Sequence, residues 1–388
     1  MNDTTVFIGL DVHKDSITAA CVDAVHDTPV IDLGTVGTQQ YAIDRLLKKL
    51  SGRGCLKLVY EAGPCGFWLH RYLTDKCLEC VVAAPSLIPR KPGDRIKTDR
   101  RDARNLALAL RAGTLSTVHV PTPDQEQFRD VVRAWQQTKR DVGGARQRLK
   151  SFLLRHDIRY TGTANWSPAH RRWLSEMVLP SAPQQIVFQE LVDAINERER
   201  RQDRLECQLD ALAPHWSGYA LAQALLAFRG IQKTVAYTVV AEVHDLSRFA
   251  HPRHFMAWLG LVPGEHSSGA TRRQGPITRW GNRYARTMLT EAAWAYRYAP
   301  KVSRIIESRA QDIDPQVRDI AWHAQIRLHH QYKKLTARGK HKNVAVTAVA
   351  RELAAFIWDA APTRAVALTR LWQKASAPAR CVGNPRRR

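Results

Sequence analysis

Two short apolar runs near the start of the chain each carry a carboxylate where a buried strand would end. Asp11 lies within Val6-Phe7-Ile8-Gly9-Leu10-Asp11-Val12, and Glu61 closes Leu56-Lys57-Leu58-Val59-Tyr60-Glu61. A charge in such a setting is costly unless something positive holds it. A further pair, Asp99 and Asp102, opens a helical pattern in Lys97-Thr98-Asp99-Arg100-Arg101-Asp102-Ala103. Spaced three apart, both face one side of a helical turn. Four such groups brought together would repel one another, and a divalent cation is the natural remedy. Taken singly, Glu61 reads as an ordinary strand end and the pair as a solvated face among Arg100, Arg101 and Arg104. Asp11, between apolar neighbours, is harder to read that way.

The spacing around these acids predicts an α/β layout. Residues 5–12 and 16–22 alternate as a hairpin turned at Lys14-Asp15, and a third strand fits 29–36. A helix over 41–50, a strand over 55–61, a helix over 65–75 and a strand over 78–84 follow, with Pro85 and Pro89 breaking the chain afterwards. Three strands, a helix, then alternating strands and helices describe a ribonuclease-H-like mixed sheet flanked by helices.

Beyond residue 118 the period becomes helical. Phe128, Val131, Trp135, Val142, Ala145, Leu149 and Phe152 mark one long helix over about 124–154. Ile195, Leu205, Leu209 and Leu212 mark a second over about 183–212, with Asn165-Trp166-Ser167-Pro168 interrupting the stretch between. A helical hairpin or antiparallel coiled-coil arm fits, either a solvated pair or a surface for self-association or RNA. Residues 225–236 read as helix, Gly-containing turn, helix, and such a turn can seat a phosphate at a helix amino terminus; Lys233 sits there. Residues 263–281 read as a loop, with Arg272, Arg273, Arg279, Arg283 and Arg286 flanking or entering the next helix and Trp280 and Tyr284 interleaved. That mixture suits backbone contacts to nucleic acid with aromatic stacking. Two more helices are expected at 316–337 and 343–359. The expected division is a catalytic domain over 1–118, the arm over 119–214, a helical carboxy-terminal domain over 215–360 and a basic mobile tail over 361–388.

Charge points to a polyanionic partner. The net formal charge is +23, yet residues 1–115 hold 16 Lys and Arg against 13 Asp and Glu, leaving a net of +20 for the remainder. Lys and Arg in that excess displace counterions from phosphate backbones. No apolar run is long enough for a membrane span, and the start lacks the pattern of a signal peptide. Seven Cys, an odd number, fit a reducing compartment. Cys77-Leu78-Glu79-Cys80 lacks a second pair at zinc spacing and runs into a strand, so buried or half-buried structural thiols are expected there.

The acidic segments, taken jointly, resemble one known family. Gly9-Leu10-Asp11-Val12-His13-Lys14, Tyr60-Glu61-Ala62-Gly63 and the segment from Lys97 to Ala103 are similar to signatures of the insertion-sequence transposase family one-ten. So are Gly260-Leu261-Val262-Pro263, Ser267-Ser268-Gly269 and Gly275-Pro276-Ile277-Thr278-Arg279-Trp280-Gly281-Asn282. Ala337-Arg338-Gly339-Lys340 and Val349-Ala350-Arg351-Glu352-Leu353-Ala354 resemble its closing helices, and the likeness runs from about residue 6 to 358. Arg229-Gly230-Ile231-Gln232 departs from the more usual Pro-Gly-Ile-Gly, which weakens a phosphate seat there. The resemblance implies a RuvC-like domain in which Asp11, Glu61, Asp99 and Asp102 bind magnesium or manganese. It implies that Ser268, with Ser267 in reserve, attacks DNA and becomes joined to it. It further implies double-stranded donor and target DNA, a structured noncoding bridge RNA as guide, and a cytoplasmic, nucleoid-associated location in bacteria.

A serine from the far end of the chain must then reach the acids, within one subunit or across two, and a homodimer or homotetramer is expected. Two other readings stand beside this one. The first is a hydrolytic junction resolvase on the same fold, with water as nucleophile. The second is a binding protein with a degenerate nuclease core.

Overall fold

A computed structural model describes residues 4–361 apart from residues 26, 90–97, 266, 270 and 272. The chain forms two units, Met1–Val120 and Pro121–Arg388. The tail expected from residue 361 onward lies, after Ala361 itself, outside the described residues, as do Lys97 and Arg272.

The first unit contains β1 (Thr5–Val12), β2 (Ser16–Asp23), β3 (Ile31–Gly37), α1 (Gln40–Leu50), β4 (Cys55–Glu61), α2 (Trp68–Asp75), β5 (Glu79–Ala83) and α3 (Asp99–Arg111). The strands form one sheet in the order β3-β2-β1-β4-β5. β2 runs antiparallel to both β1 and β3, whereas β1, β4 and β5 are parallel. Because side chains alternate across a strand, Val6, Ile8 and Leu10 of β1 join Leu56, Leu58 and Tyr60 of β4 in one core. Ile43 and Leu46 of α1 and Leu69 and Leu73 of α2 pack into it. The opposite face carries Val59 and Ala83 against Leu106 of α3. The unit is thus a mixed sheet with helices on both faces, consistent with a ribonuclease-H-like domain. α2 begins three residues later than its apolar spacing predicts, because Gly66 adopts φ +67° and turns the chain before Trp68.

α3 lies close enough to β1 that residue 9 has no room for a side chain. A Cβ on Gly9 would fall 2.0 Å from the Ala103 carbonyl oxygen and 2.6 Å from the Ala107 nitrogen. At its amino end Thr98 caps α3 by accepting from the Arg101 N–H, and Asp99 and Asp102 occupy the first turn, where the helix dipole favours carboxylates. Arg100 donates from Nε to Asp32 of β3 at 2.6 Å, and Arg104 lies 3.7 Å from the same carboxylate. These arginines therefore tether the helix start to the sheet and do not simply solvate the acidic pair.

The second unit contains α4 (Pro123–Arg155), α5 (Pro168–Ser175), α6 (Ala182–Leu212), α7 (Tyr219–Leu225), α8 (Lys233–Val243), α9 (Pro252–Trp258), β6 (Pro263–Glu265), β7 (Gln274–Ile277), α10 (Arg283–Ala293), α11 (Arg304–Arg309), α12 (Pro315–Ala337) and α13 (Lys342–Asp359). α4 starts with a capping box between Thr122 and Gln125 and with Pro123 in its first turn. It pairs with α6. Its first half sends Phe128, Val132 and Trp135 into a core with Leu209 and Trp216, while Ala145, Leu149 and Phe152 meet Phe188, Ile195 and Leu174 of α5. The two helices therefore run antiparallel. Leu212, expected on the buried stripe of α6, is 44 % exposed, and Leu209 and Ala213 take the core instead. The large core of the unit gathers α8, α10, α12 and α13.

Residues 263–281 were expected as a loop, and the structure corrects this in part. β6 and β7 pair antiparallel as a short ribbon. Strands of three and four residues containing Pro263, Gly275 and Pro276 are too short and too broken to show a period of two. The stretch from Leu225 to Lys233 turns at Gly230, whose φ is +82°. No helix among the described residues is long and apolar enough to cross a membrane.

Candidate active site

The parallel register of β1 and β4 pairs Leu10 with Tyr60. Asp11 and Glu61 are the next residues along, at the same end of neighbouring strands and on the face that α3 covers. Asp11 is half-buried, its side chain 17 % exposed. Burial pushes its carboxyl above the usual carboxylate range; His13 opposes that rise, and the charges of Asp99 and Asp102 add to it.

His13 supplies a contact that the sequence reading did not assign. Its Nε2 lies 3.2 Å from Asp11 Oδ2 and 3.5 Å from Asp99 Oδ1. One ligand atom from each of Asp11, His13 and Asp99 falls within 4.8 Å of the others. Asp102 is near enough to act on Asp11 electrostatically. Neither it nor Glu61 joins this group, and among the described residues no other such group forms. An Asp-x-His spacing at a strand end was the available signal, since residues two apart share a face.

Two carboxylates and an imidazole converging on one small volume fit a divalent cation. Carboxylate oxygens suit magnesium or manganese, and imidazole is a common ligand of transition metals. Such a cation would relieve the repulsion of Asp11 by Asp99 and Asp102. The Cys77–Cys80 pair offers no comparable site: Cys80 is buried in β5, where burial pushes its thiol up to about 12, whereas Cys77, expected to be at least half-buried, is exposed in the turn before the strand.

The serine segment belongs to the second unit. Ser268 and Thr271 exchange backbone hydrogen bonds at 3.2 and 3.1 Å, closing a tight turn over Gly269, whose φ is +56°. Ser267 Oγ donates to Glu265 Oε1 at 2.8 Å and accepts from the Arg273 N–H at 3.3 Å. Among the described residues Ser268 Oγ has no hydrogen bond, and both serines are exposed.

The cations singled out in the sequence differ in their surroundings. Arg273, Arg279 and Arg283 are exposed. Arg286 is half-buried and donates to the Leu259 carbonyl at 2.8 Å, and burial lowers its pKa. Lys233 pairs with Asp210 at 3.0 Å. Glu242 of α8 is 3 % exposed, and the Asn282 amide, at the cap of α10, donates to it at 2.6 Å. Tyr284 carries the guanidinium groups of Arg133 and Arg140 at 5.4 and 5.0 Å from its ring centre. Gly281, at φ +125°, lets the chain pass the Trp258 carbonyl, which a Cβ would approach to 2.0 Å.

Residues 222–305 match the family described as Transposase IS116/IS110/IS902, and residues 8–157 match a DEDD-type transposase family. The chain is 41% identical over 353 residues to a protein of Sinorhizobium fredii named as transposase y4qE, covering 91% of this chain and 87% of that one. It is 28% identical to the transposase for insertion sequence element IS1533 of Leptospira borgpetersenii, over 86% of this chain and 98% of that one. It is 24% identical to the transposase for insertion sequence element IS1111A of Coxiella burnetii, over 74% and 77% of the two chains.

Proposed function

The chain belongs to the IS116/IS110/IS902 family of insertion-sequence transposases, and from that premise we propose that it exchanges DNA strands by metal-assisted phosphoryl transfer through a serine–DNA intermediate. The observation that carries the reading is the convergence of Asp11, His13 and Asp99 at the sheet end. In this reading Asp11 and Asp99, with His13 beside them, would hold magnesium or manganese, Glu61 and Asp102 would complete the set, and the ion when bound polarises the phosphate and offsets charge on its oxygens.

Ser268 is the nucleophile. Its Oγ forms a bond to phosphorus as the bond from phosphorus to a deoxyribose oxygen breaks. The serine proton passes to a base, and the departing oxygen takes one up. One phosphate ester replaces another, so attack by a hydroxyl of a different strand reverses the step and rejoins DNA without an added energy source. Ser268 is preferred over Ser267 because it stands directly before Gly269, where it matches the family signature; Ser267, whose hydroxyl donates to Glu265, is the reserve candidate.

Arg272, Arg273, Arg279, Arg283 and Lys233 take the backbones of double-stranded donor and target DNA and of a structured guide RNA. The net charge of +20 on residues 116–388 supports a polyanionic partner. Arg286 shapes the segment through its bond to Leu259. The working form is a homodimer or homotetramer in the bacterial cytoplasm, at the nucleoid.

The test combines purified protein, magnesium, guide RNA and both DNAs, and resolves the products on a denaturing gel. A covalent protein–DNA adduct that disappears in Ser268→Ala is expected. Cleavage with no adduct in wild type would favour water as nucleophile and sink the serine step.

A further inference from the structure

The outer half of the α4–α6 hairpin holds a cleft that the chemistry above does not use. Its volume is about 410 Å³, within the range of small-ligand sites. Tyr160, His170 and Trp173 form its aromatic wall, Asn165 contributes an amide, and Lys150 and Arg159 contribute positive charge. Among the described residues no Asp or Glu lines it.

The aromatic wall is built, not incidental. The Tyr160 ring meets His170 edge-on at 4.7 Å and lies 5.2 Å from Trp173. Trp166 packs on His170 at 5.0 Å and carries Arg146 over its own ring at 4.8 Å. His170 is 3 % exposed. Burial, and after it the charges of Lys150 and Arg171, lowers its pKa. Its Nδ1 is buried without a hydrogen-bond partner among the described residues. Ser167 caps α5 by accepting from the His170 N–H, and Pro168 fixes the first turn, so the local fold sets the position of His170.

Flat apolar walls, neutral hydrogen-bonding groups and flanking cations correspond to the three parts of a nucleotide: base face, base edge and phosphate. We propose that this cleft holds one unpaired nucleobase of a single-stranded segment, stacked on the Tyr160–Trp173 wall, with Lys150 at a neighbouring phosphate. Lys150 is the stronger cation for this task, because Arg159 already meets Asp157 at 3.2 Å on the open surface. The proposal rests on the reading that the protein handles nucleic acid.

The experiment uses the full-length protein in EDTA, so that binding is measured apart from cleavage. Short RNA and DNA single strands carrying 2-aminopurine are compared with the same strands bearing an abasic position there, and with a duplex. Stacking of one base predicts about tenfold weaker binding of the abasic strand and quenching of 2-aminopurine fluorescence. The RNA and DNA arms show which strand is preferred. Trp173→Leu is expected to remove the difference between normal and abasic strands. Should that variant fail to fold by circular dichroism, Asn165→Ala and Lys150→Ala at exposed positions decide, each reducing base-dependent binding. Equal affinity for normal and abasic strands would overturn the pocket alone. Variants that shift the oligomeric state and leave base dependence intact would overturn it too, making the cleft a contact between copies. No binding to duplex, RNA or single strand would overturn the underlying functional reading as well.

Discussion

Arg133 of α4 grips the buried carboxylate of Glu242 in α8 with two parallel hydrogen bonds, Nε to Oε1 at 2.8 Å and Nη2 to Oε2 at 2.9 Å. The Asn282 amide completes the set, so a single side chain links the long helix, the core and the start of α10. Breaking a buried ion pair from one side costs about 3–5 kcal/mol. Here Arg133 is 41 % exposed and regains water, so Glu242→Ala is expected to cost about 2–3 kcal/mol. Urea unfolding followed by circular dichroism checks this, and an unchanged midpoint would show that the link contributes nothing.

His13 faces both Asp11 and Asp99, and removing it should weaken metal binding. His13→Ala is expected to lower manganese affinity about tenfold or more, read by electron paramagnetic resonance of free Mn²⁺. Equal affinity would place the cation away from His13. Removal of divalent ions by chelator should abolish strand cleavage in wild type while leaving nucleic-acid binding in place.

The tether between Arg100 and Asp32 gives a pH dependence of definite sign. The hydrogen bond from Arg100 holds the Asp32 carboxyl below its usual 3.8, with the charges of Arg100 and Arg104 adding to it. A depressed carboxyl contributes stability that is fully present above the unfolded value and is lost as pH falls through the folded one. Wild type should therefore lose more stability than Asp32→Asn as pH drops from about 5 toward 2. Thermal melts across that window test it, and parallel curves would remove Asp32 from the account.

Much of the first unit could be read from the chain because its strands are short apolar runs bounded by turns, with side chains alternating between two covered faces. Val6, Ile8 and Leu10 face one core, and Asp11 breaks that pattern on the other face, where α3 arrives. The meeting of Asp11 with Asp99 depends on α3 crossing β1, and no local spacing encodes that crossing. The contribution of His13 was missed for a related reason: an exposed His after a strand looks ordinary until a second carboxylate is brought to it. β6 and β7 escaped because Pro and Gly interrupt both strands. The role of Glu242 was hard to read because its partners lie 109 and 40 residues away. Burial of a lone acid within an apolar helix was the signal available there.

The two adjacent serines should separate cleanly. Ser268→Ala is expected to abolish the covalent adduct. Ser267→Ala, which loses the tie to Glu265, should slow adduct formation but retain it. Denaturing gels of labelled DNA after magnesium addition decide, and loss of the adduct only in Ser267→Ala would exchange the two roles.

Gly9 offers the sharpest test that α3 must lie tight on β1 for the site to form. A methyl at residue 9 would press on two backbone atoms, the Ala103 carbonyl at 2.0 Å and the Ala107 nitrogen at 2.6 Å, neither of which can rotate away. Relief requires α3 to shift, at about 1–3 kcal/mol for overpacking. The same shift moves Asp99 and Asp102, which ride on the first turn of that helix. A misplacement of about 1 Å can cost on the order of a hundredfold in rate. Gly9→Ala should therefore lose both stability and cleavage, whereas Gly52→Ala, with nothing within 4 Å of its Cβ, should keep both. A Gly9→Ala protein that melts and cleaves like wild type would show that the close helix–strand approach does not position the acids.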